Sequence, residues 1–181
     1  VEHIEESSFN TFTSLCDVII PYGVITIQSN AFYDCRCLTY INLPSSLISI
    51  GSRSFEGCIC LSHITIPESV TSIGSYAFYR CESLESINIP GSVTIIEGFT
   101  FDRCTSLPEI TIPSSVTSIK RNAFNDCRSL VTVTIPESVT DIGDYAFRCC
   151  SSLVSIVIPD TITEIGLFAF KQCYSLRKVN I

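Results

Sequence analysis

The chain has 181 residues and a formal net charge of −7, from 18 acidic residues against 11 Lys and Arg. That balance argues against nucleic acid as a partner, since phosphate binding needs a clustered basic face and these cations are scattered. Apolar residues make up 46% of the chain, but no uninterrupted apolar run exceeds a few residues, so no membrane span is expected.

Residues 1–20 read as a repeat unit that lacks its first three positions, with Val1 standing where Val70 stands and Ile4 where Ile73 stands. From Pro21 a unit recurs every 23 residues, marked by Pro21, Pro44, Pro67, Pro90, Pro113, Pro136 and Pro159, and the seventh unit closes on Ile181. A fixed period of this length is the mark of a repeat architecture, so residues 1–181 read as one domain. The chain has no Met and no visible leader, and it starts and stops in phase with the repeat. Those features suggest a mature product or a piece of a longer protein. Neither end carries a polar capping unit of the kind repeat arrays need.

Within the unit Pro67–Ile89, Val70–Ile73 is β-branched and predicts a short extended segment closed by the turn residue Gly74. Ala77, Phe78, Cys81 and Leu84 follow at i, i+1, i+4 and i+7, a spacing that predicts a turn or two of helix facing inward. Ile87-Asn88-Ile89 alternates apolar and polar, which predicts a strand with one buried face, ended by Pro90. Stacked on its neighbours, each unit contributes to fixed columns, two of them complete: Phe9 to Phe170 and Leu15 to Leu176. A single unit is too small to offset its own ordering entropy. Neighbours must therefore share its core and its strand hydrogen bonds, in about eight coils spaced roughly 4.8 Å apart.

The run from Leu130 to Cys150, L-x-x-I-x-I-P-x-S-V-T-x-I-G-x-x-A-F-x-x-C in its consensus, resembles the BspA-like (Treponema pallidum-type) leucine-rich repeat. Departures are local: Glu97 and Lys120 replace the Gly, Ser8, Ser54 and Thr100 replace the Ala, and Phe12 replaces the Cys. The resemblance implies a curved, right-handed leucine-rich-repeat solenoid with a parallel β-sheet on its concave side. It also implies a cell-surface or secreted protein that adheres to a protein or glycoprotein ligand of the extracellular-matrix type. Fold does not fix function, so the ligand remains a matter for the surface residues.

Eleven cysteines invite a disulfide or metal reading, but seven of them, Cys35 to Cys173 at 23-residue intervals, form an inward column. Buried thiols pack as small hydrophobes, so a reduced core ladder is expected. Cys37 and Cys60 share a column on adjacent coils where the other units carry Ser, and stacking would bring them within disulfide range. Cys149 and Cys150 read as one surface and one core thiol, and Cys16 has no mate. No Cys or His spacing suits zinc, and His3 and His63 are the only histidines and lie coils apart. With no phosphate loop, catalytic triad order or paired carboxylates, neither enzymatic activity nor a cofactor is expected.

Two rows of outward strand positions are the candidate ligand surface. One runs Tyr40, His63, Ser86, Glu109, Thr132, Ser155, Lys178 and varies in charge and size. The other runs Asn42, Thr65, Asn88, Thr111, Thr134, Val157, Asn180. Tyr40, Asn42, His63, Thr65, Asn88, Glu109, Thr111 and Lys178 are the contact candidates, against the alternative of unselected surface variation. A Thr column from Thr71 to Thr163 reads as a structural ladder, because its neighbouring column lacks the regularity of an ice-binding face. The column Tyr76, Phe99, Tyr145, Phe168 is either a second contact patch or rim packing. The rivals to a binding module are a subunit that stacks end to end as a homo-oligomer and an intracellular scaffold.

Overall fold

The structure, a computed structural model, describes residues 1–180, so Ile181 lies outside the described residues. Each unit contributes two short strands. The odd series comprises β1 (His3–Ile4), β3 (Thr26–Ile27), β5 (Ser49–Ile50), β7 (Ser72–Ile73), β9 (Ile95–Ile96), β11 (Ser118–Ile119), β13 (Asp141–Ile142) and β15 (Glu164–Ile165). The even series comprises β2 (Asp17–Ile19), β4 (Tyr40–Asn42), β6 (His63–Ile64), β8 (Ser86–Ile87), β10 (Glu109–Thr111), β12 (Thr132–Thr134), β14 (Ser155–Val157) and β16 (Lys178–Asn180). Every strand pair is parallel and joins residues 23 apart, such as Ile4 with Ile27 and Ile110 with Val133. The chain is therefore a parallel β-solenoid of about eight coils, in register with its own sequence period.

The columns predicted to be apolar are the core. Val70, Ala77, Phe78, Cys81 and Leu84 are fully buried, and their counterparts in the other inner coils form one contiguous cluster. The Phe rings stack from Phe9 to Phe170 with centroids 5.2–5.7 Å apart and planes within 10° of parallel. Offset stacking at that distance is favourable for aromatic rings, and it fixes the rotation of each coil on the next.

The expected helix is absent among the described residues. In its place the segment from Gly74 to Leu84 is a chain of tight turns. The N–H groups of Ala77, Tyr79, Cys81 and Leu84 donate to carbonyls three residues back, while those of Tyr76, Phe78 and Arg80 donate to Gly98, Thr100 and Asp102 on the next coil. Two residues per coil, at the positions of Tyr76 (φ 60°) and Arg80 (φ 59°), adopt left-handed backbone, which no α-helix tolerates. The i, i+1, i+4, i+7 spacing gives the buried face but not the backbone conformation, because such turns bury the same positions as a helix. The alternation turns this segment into a third inter-coil ladder.

Gly74 closes a turn, as expected, but close approach is the stronger reason for glycine. A Cβ there would lie 2.5 Å from the Ser52 amide nitrogen on the preceding coil, and at Gly166 2.3 Å from that of Asp144. Along this column the one step from glycine to a residue with a Cβ is Gly74 to Glu97, and there the odd ladder is interrupted, β7 and β9 being unpaired. The even ladder breaks at the same junction, between β8 and β10. Glu85 donates its N–H to Ser62 and Val131 to the carbonyl of Pro108, but Pro108, the one proline outside the 23-residue series, has no N–H to give Glu85. Between units Pro67–Ile89 and Pro90–Ile112 the coils thus lack both strand ladders and are held by the turn ladder, the core and side-chain hydrogen bonds such as Ser92 to the Val70 carbonyl and Thr105 to that of Glu82. Phe78 and Phe101 are the most widely spaced pair in the Phe stack, at 5.7 Å.

Candidate functional site

The inward cysteines are reduced and have a bonding role beyond filling space. Each Sγ, from Cys35 to Cys173, donates to the carbonyl of the Phe 26 residues earlier, at 3.1–3.3 Å. A thiol is the smallest apolar side chain that also carries a donor. Burial pushes the thiols of Cys58, Cys81, Cys104, Cys127 and Cys150 well above the ordinary range, and that of Cys173 to about 11. They stay protonated and unreactive. Cys37 and Cys60, the pair whose stacking permits a bridge, are both free and exposed in the structure. Cys149 is half-buried beside buried Cys150, and it donates to the Gln172 side-chain oxygen at 3.1 Å. Among the described residues no cluster of His, Cys, Asp or Glu is arranged to hold a metal ion, and no helix is long and apolar enough to cross a membrane.

The Thr column is structural. Thr117, Thr140 and Thr163 each donate to the backbone carbonyl of the preceding Thr at 3.1–3.2 Å. A second hydroxyl ladder escaped the sequence reading. Ser46, Ser69, Ser92, Ser115, Ser138 and Thr161 each donate to a carbonyl 22 residues back, at 2.6–3.0 Å. Its signal was the Ser of the P-x-S-V-T run, which sits next to the better-known columns.

The even-strand face carries the candidate ligand residues, and two grooves divide most of them. Where β8 and β10 part, a groove of about 300 Å³ is lined by Ser86, Asn88, Pro108, Glu109 and Thr111 among others. Where β4 and β6 part, a smaller one of about 160 Å³ is lined by Tyr40, Asn42, His63 and Thr65. The breaks in the sheet, not the strands themselves, create the relief. Tyr40, Asn42, His63, Thr65, Glu109 and Thr111 are exposed. His63 Nδ1 lies 2.8 Å from the Ser86 hydroxyl, and Nε2 lies 3.8 Å from the Glu85 carboxylate, so the imidazole spans the two grooves. Asn88 has a structural role as well: its amide accepts from the Ile66 N–H and donates to the Ile66 carbonyl, both at 2.8 Å. It extends the β6–β8 ladder by a side chain and keeps one N–H and one acceptor site towards the groove. Lys178 is exposed on β16, three coils beyond Glu109, and belongs to neither groove.

The sequence profile of the BspA type leucine-rich repeat region matches the chain in six copies, over residues 1–105 and 71–181. The chain belongs to the BspA-type leucine-rich repeat family. Among solved structures, a leucine-rich repeat protein of Treponema pallidum is 34% identical with a TM-score of 0.85, matching 89% of this chain and 78% of that one. A leucine-rich cell surface protein of Faecalibacterium prausnitzii is 30% identical over the whole of this chain and 65% of that one, with a TM-score of 0.71. A leucine-rich repeat protein of Bacteroides ovatus is 29% identical over 99% of this chain but 58% of its own, with a TM-score of 0.72. The chain thus spans less than two thirds of those last two relatives. No curated protein matches it. The BspA-type assignment covers the fold and the repeat, and relates the chain to cell-surface bacterial proteins.

Proposed function

We propose that the chain is a non-catalytic binding module of a cell-surface or secreted protein, and that it takes a protein or glycoprotein ligand on its even-strand face. The observation that carries this reading is the pair of grooves at the breaks of the even ladder. They gather the residues at which the repeat fails to repeat, while the constant columns are used in the core and in hydroxyl and thiol ladders. Relief on an otherwise flat sheet, with aromatic, imidazole and carboxylate groups at its rims, suits a protein surface better than a small molecule. The cell-surface description of the Faecalibacterium relative supports the location.

The test is binding of the purified chain to a panel of immobilised extracellular-matrix glycoproteins. Tyr40→Ala and Glu109→Lys, one in each groove, are expected to weaken a positive interaction by tenfold or more. Lys178→Glu, on the same face but outside the grooves, should leave it within twofold. Binding indifferent to the first two changes would sink the proposal. Light scattering on the same preparation separates this reading from end-to-end stacking, for which regular fibres would be the sign.

A further inference from the structure

A second surface lies on the turn segments, away from the even-strand face. There Phe99, Arg121, Asn122, Tyr145, Arg148, Phe168 and Lys171 enclose a pocket of about 440 Å³. Its composition is unlike the rest of this acidic molecule: three cations, three aromatic rings, one amide and no carboxylate. Of the eight Lys and Arg outside the pocket, five meet acids, Arg36 with Asp34, Arg53 with Glu56, Arg80 with Glu82, Lys120 with Asp141 and Arg128 with Asp126, while Arg103, Arg177 and Lys178 form no such cluster. Among the described residues Arg121, Arg148 and Lys171 have no carboxylate within salt-bridge distance.

The rings hold the cations in place. The guanidinium carbons of Arg121 and Arg148 lie 5.5 and 6.0 Å from the centre of the Tyr145 ring, and Lys171 Nζ lies 4.6 Å from that of Phe168. Cation–π contacts of this kind orient a charge without neutralising it, so its hydrogen-bond donors stay free for an anion. Phe168 leans on Tyr145, with ring centroids 5.5 Å apart and planes tilted by 36°, and the two rings form an aromatic wall of the pocket beside these cations. An aromatic wall beside cations that have no salt-bridge partner fits a ligand with both an apolar face and fixed negative charge. Pyranose rings that carry sulfate or carboxylate have both.

We propose that this pocket binds an anionic saccharide, with Phe168 against a sugar face and Arg121, Arg148 and Lys171 on its acidic groups. Single-stranded nucleic acid needs stacking platforms too, but also a basic track along the backbone, and the net charge of −7 opposes one. An acidic peptide would satisfy the cations and leave the ring face unused.

Isothermal titration with a sulfated hexasaccharide is the direct test, alongside its desulfated counterpart, a hexaglutamate peptide and a short oligothymidylate. The sulfated sugar is expected to bind, more weakly as salt is raised. Arg148→Glu and Lys171→Glu should each weaken it by tenfold or more, and Phe168→Ala by several-fold. Arg177→Glu, an exposed cation outside the pocket, should change it by less than twofold. The circular dichroism of Lys171→Glu, whose side chain is exposed, should match the parent and so separate lost binding from lost fold. No saturable binding, equal binding of hexaglutamate or oligothymidylate, or binding that survives both reversals would overturn the proposal.

Discussion

At the scale of single residues, the places where a column changes its residue type show what the column is for. Ser54 occupies a position that is alanine in five of the eight units, and its buried hydroxyl has no hydrogen-bond partner. Thr100, in the same column, instead donates to the Glu97 carbonyl at 2.8 Å. An unpartnered buried hydroxyl costs on the order of 1 kcal/mol, so Ser54→Ala should raise unfolding stability by about that amount. Urea titration would show it, and a loss of stability would mean that Ser54 has a partner. Asp102 is the other misfit. It is 3% exposed, and burial raises its carboxyl from the ordinary 3.8 to about 6, against the lowering effects of the Asn125 amide at 2.9 Å and of Arg103 and Arg148. The neighbouring Asn125 side-chain oxygen has no partner, and a protonated Asp102 brings the donor it lacks. Because the folded state binds this proton more tightly than the unfolded state, the contribution of Asp102 is favourable below about pH 4. It is lost as pH rises towards 6. Asp102→Asn should therefore match the parent near pH 4 and exceed it above pH 6 by on the order of 2 kcal/mol. Parallel stability curves for the two proteins from pH 4 to 7.5 would contradict this.

At the scale of elements, the strands and their register were legible because a period-two pattern repeated eight times averages out local ambiguity. Ile87-Asn88-Ile89 is weak alone and decisive when Ile110, Val133 and Ile156 repeat its apolar position. The turn segment has the sequence spacing of a helix because Ala77, Phe78, Cys81 and Leu84 encode burial, and burial spacing does not distinguish α-helix from consecutive turns. The left-handed positions gave no help. Asn30, Asp34 and Gly57 suit that conformation, but Tyr76, Phe99, Tyr145 and Phe168 share it, so composition does not announce the turns. Gly74 was read for its turn, whereas the close backbone contact is visible only in three dimensions. Gly74→Ala would force the coil at Ser52 to move and should destabilise by about 1–3 kcal/mol, the usual cost of overpacking. Gly91→Ala, whose nearest neighbour would be the Glu68 carboxylate at 3.9 Å, should cost much less. Thermal melts of the two variants give the comparison, and equal losses would refute the close-approach explanation.

At the scale of the molecule, the grooves were hidden from the sequence for a simple reason. The rows of Tyr40 and Asn42 could be written down from the period, but which members face a cleft depends on where the ladders fail. One off-register residue carried a signal for that: Pro108. Its missing N–H leaves the even ladder open at the junction where Glu97 follows Gly74 and the odd ladder is open as well. In a solenoid each coil bonds only to its neighbours, so stability is close to a sum of junction terms and the weakest junction opens first. Hydrogen exchange should accordingly be fastest, away from the end coils, at the strand amides flanking that junction, in β7 to β10. Pro108→Val restores a donor opposite the Glu85 carbonyl and keeps an apolar residue like Val131 and Val154 in the same column. It is expected to slow exchange at the junction and to add about 1 kcal/mol to stability, the net worth of one backbone hydrogen bond. The same change should narrow the groove lined by Ser86 and Glu109. Unaltered exchange in β8 and β10 would show that something other than the proline holds the sheet open.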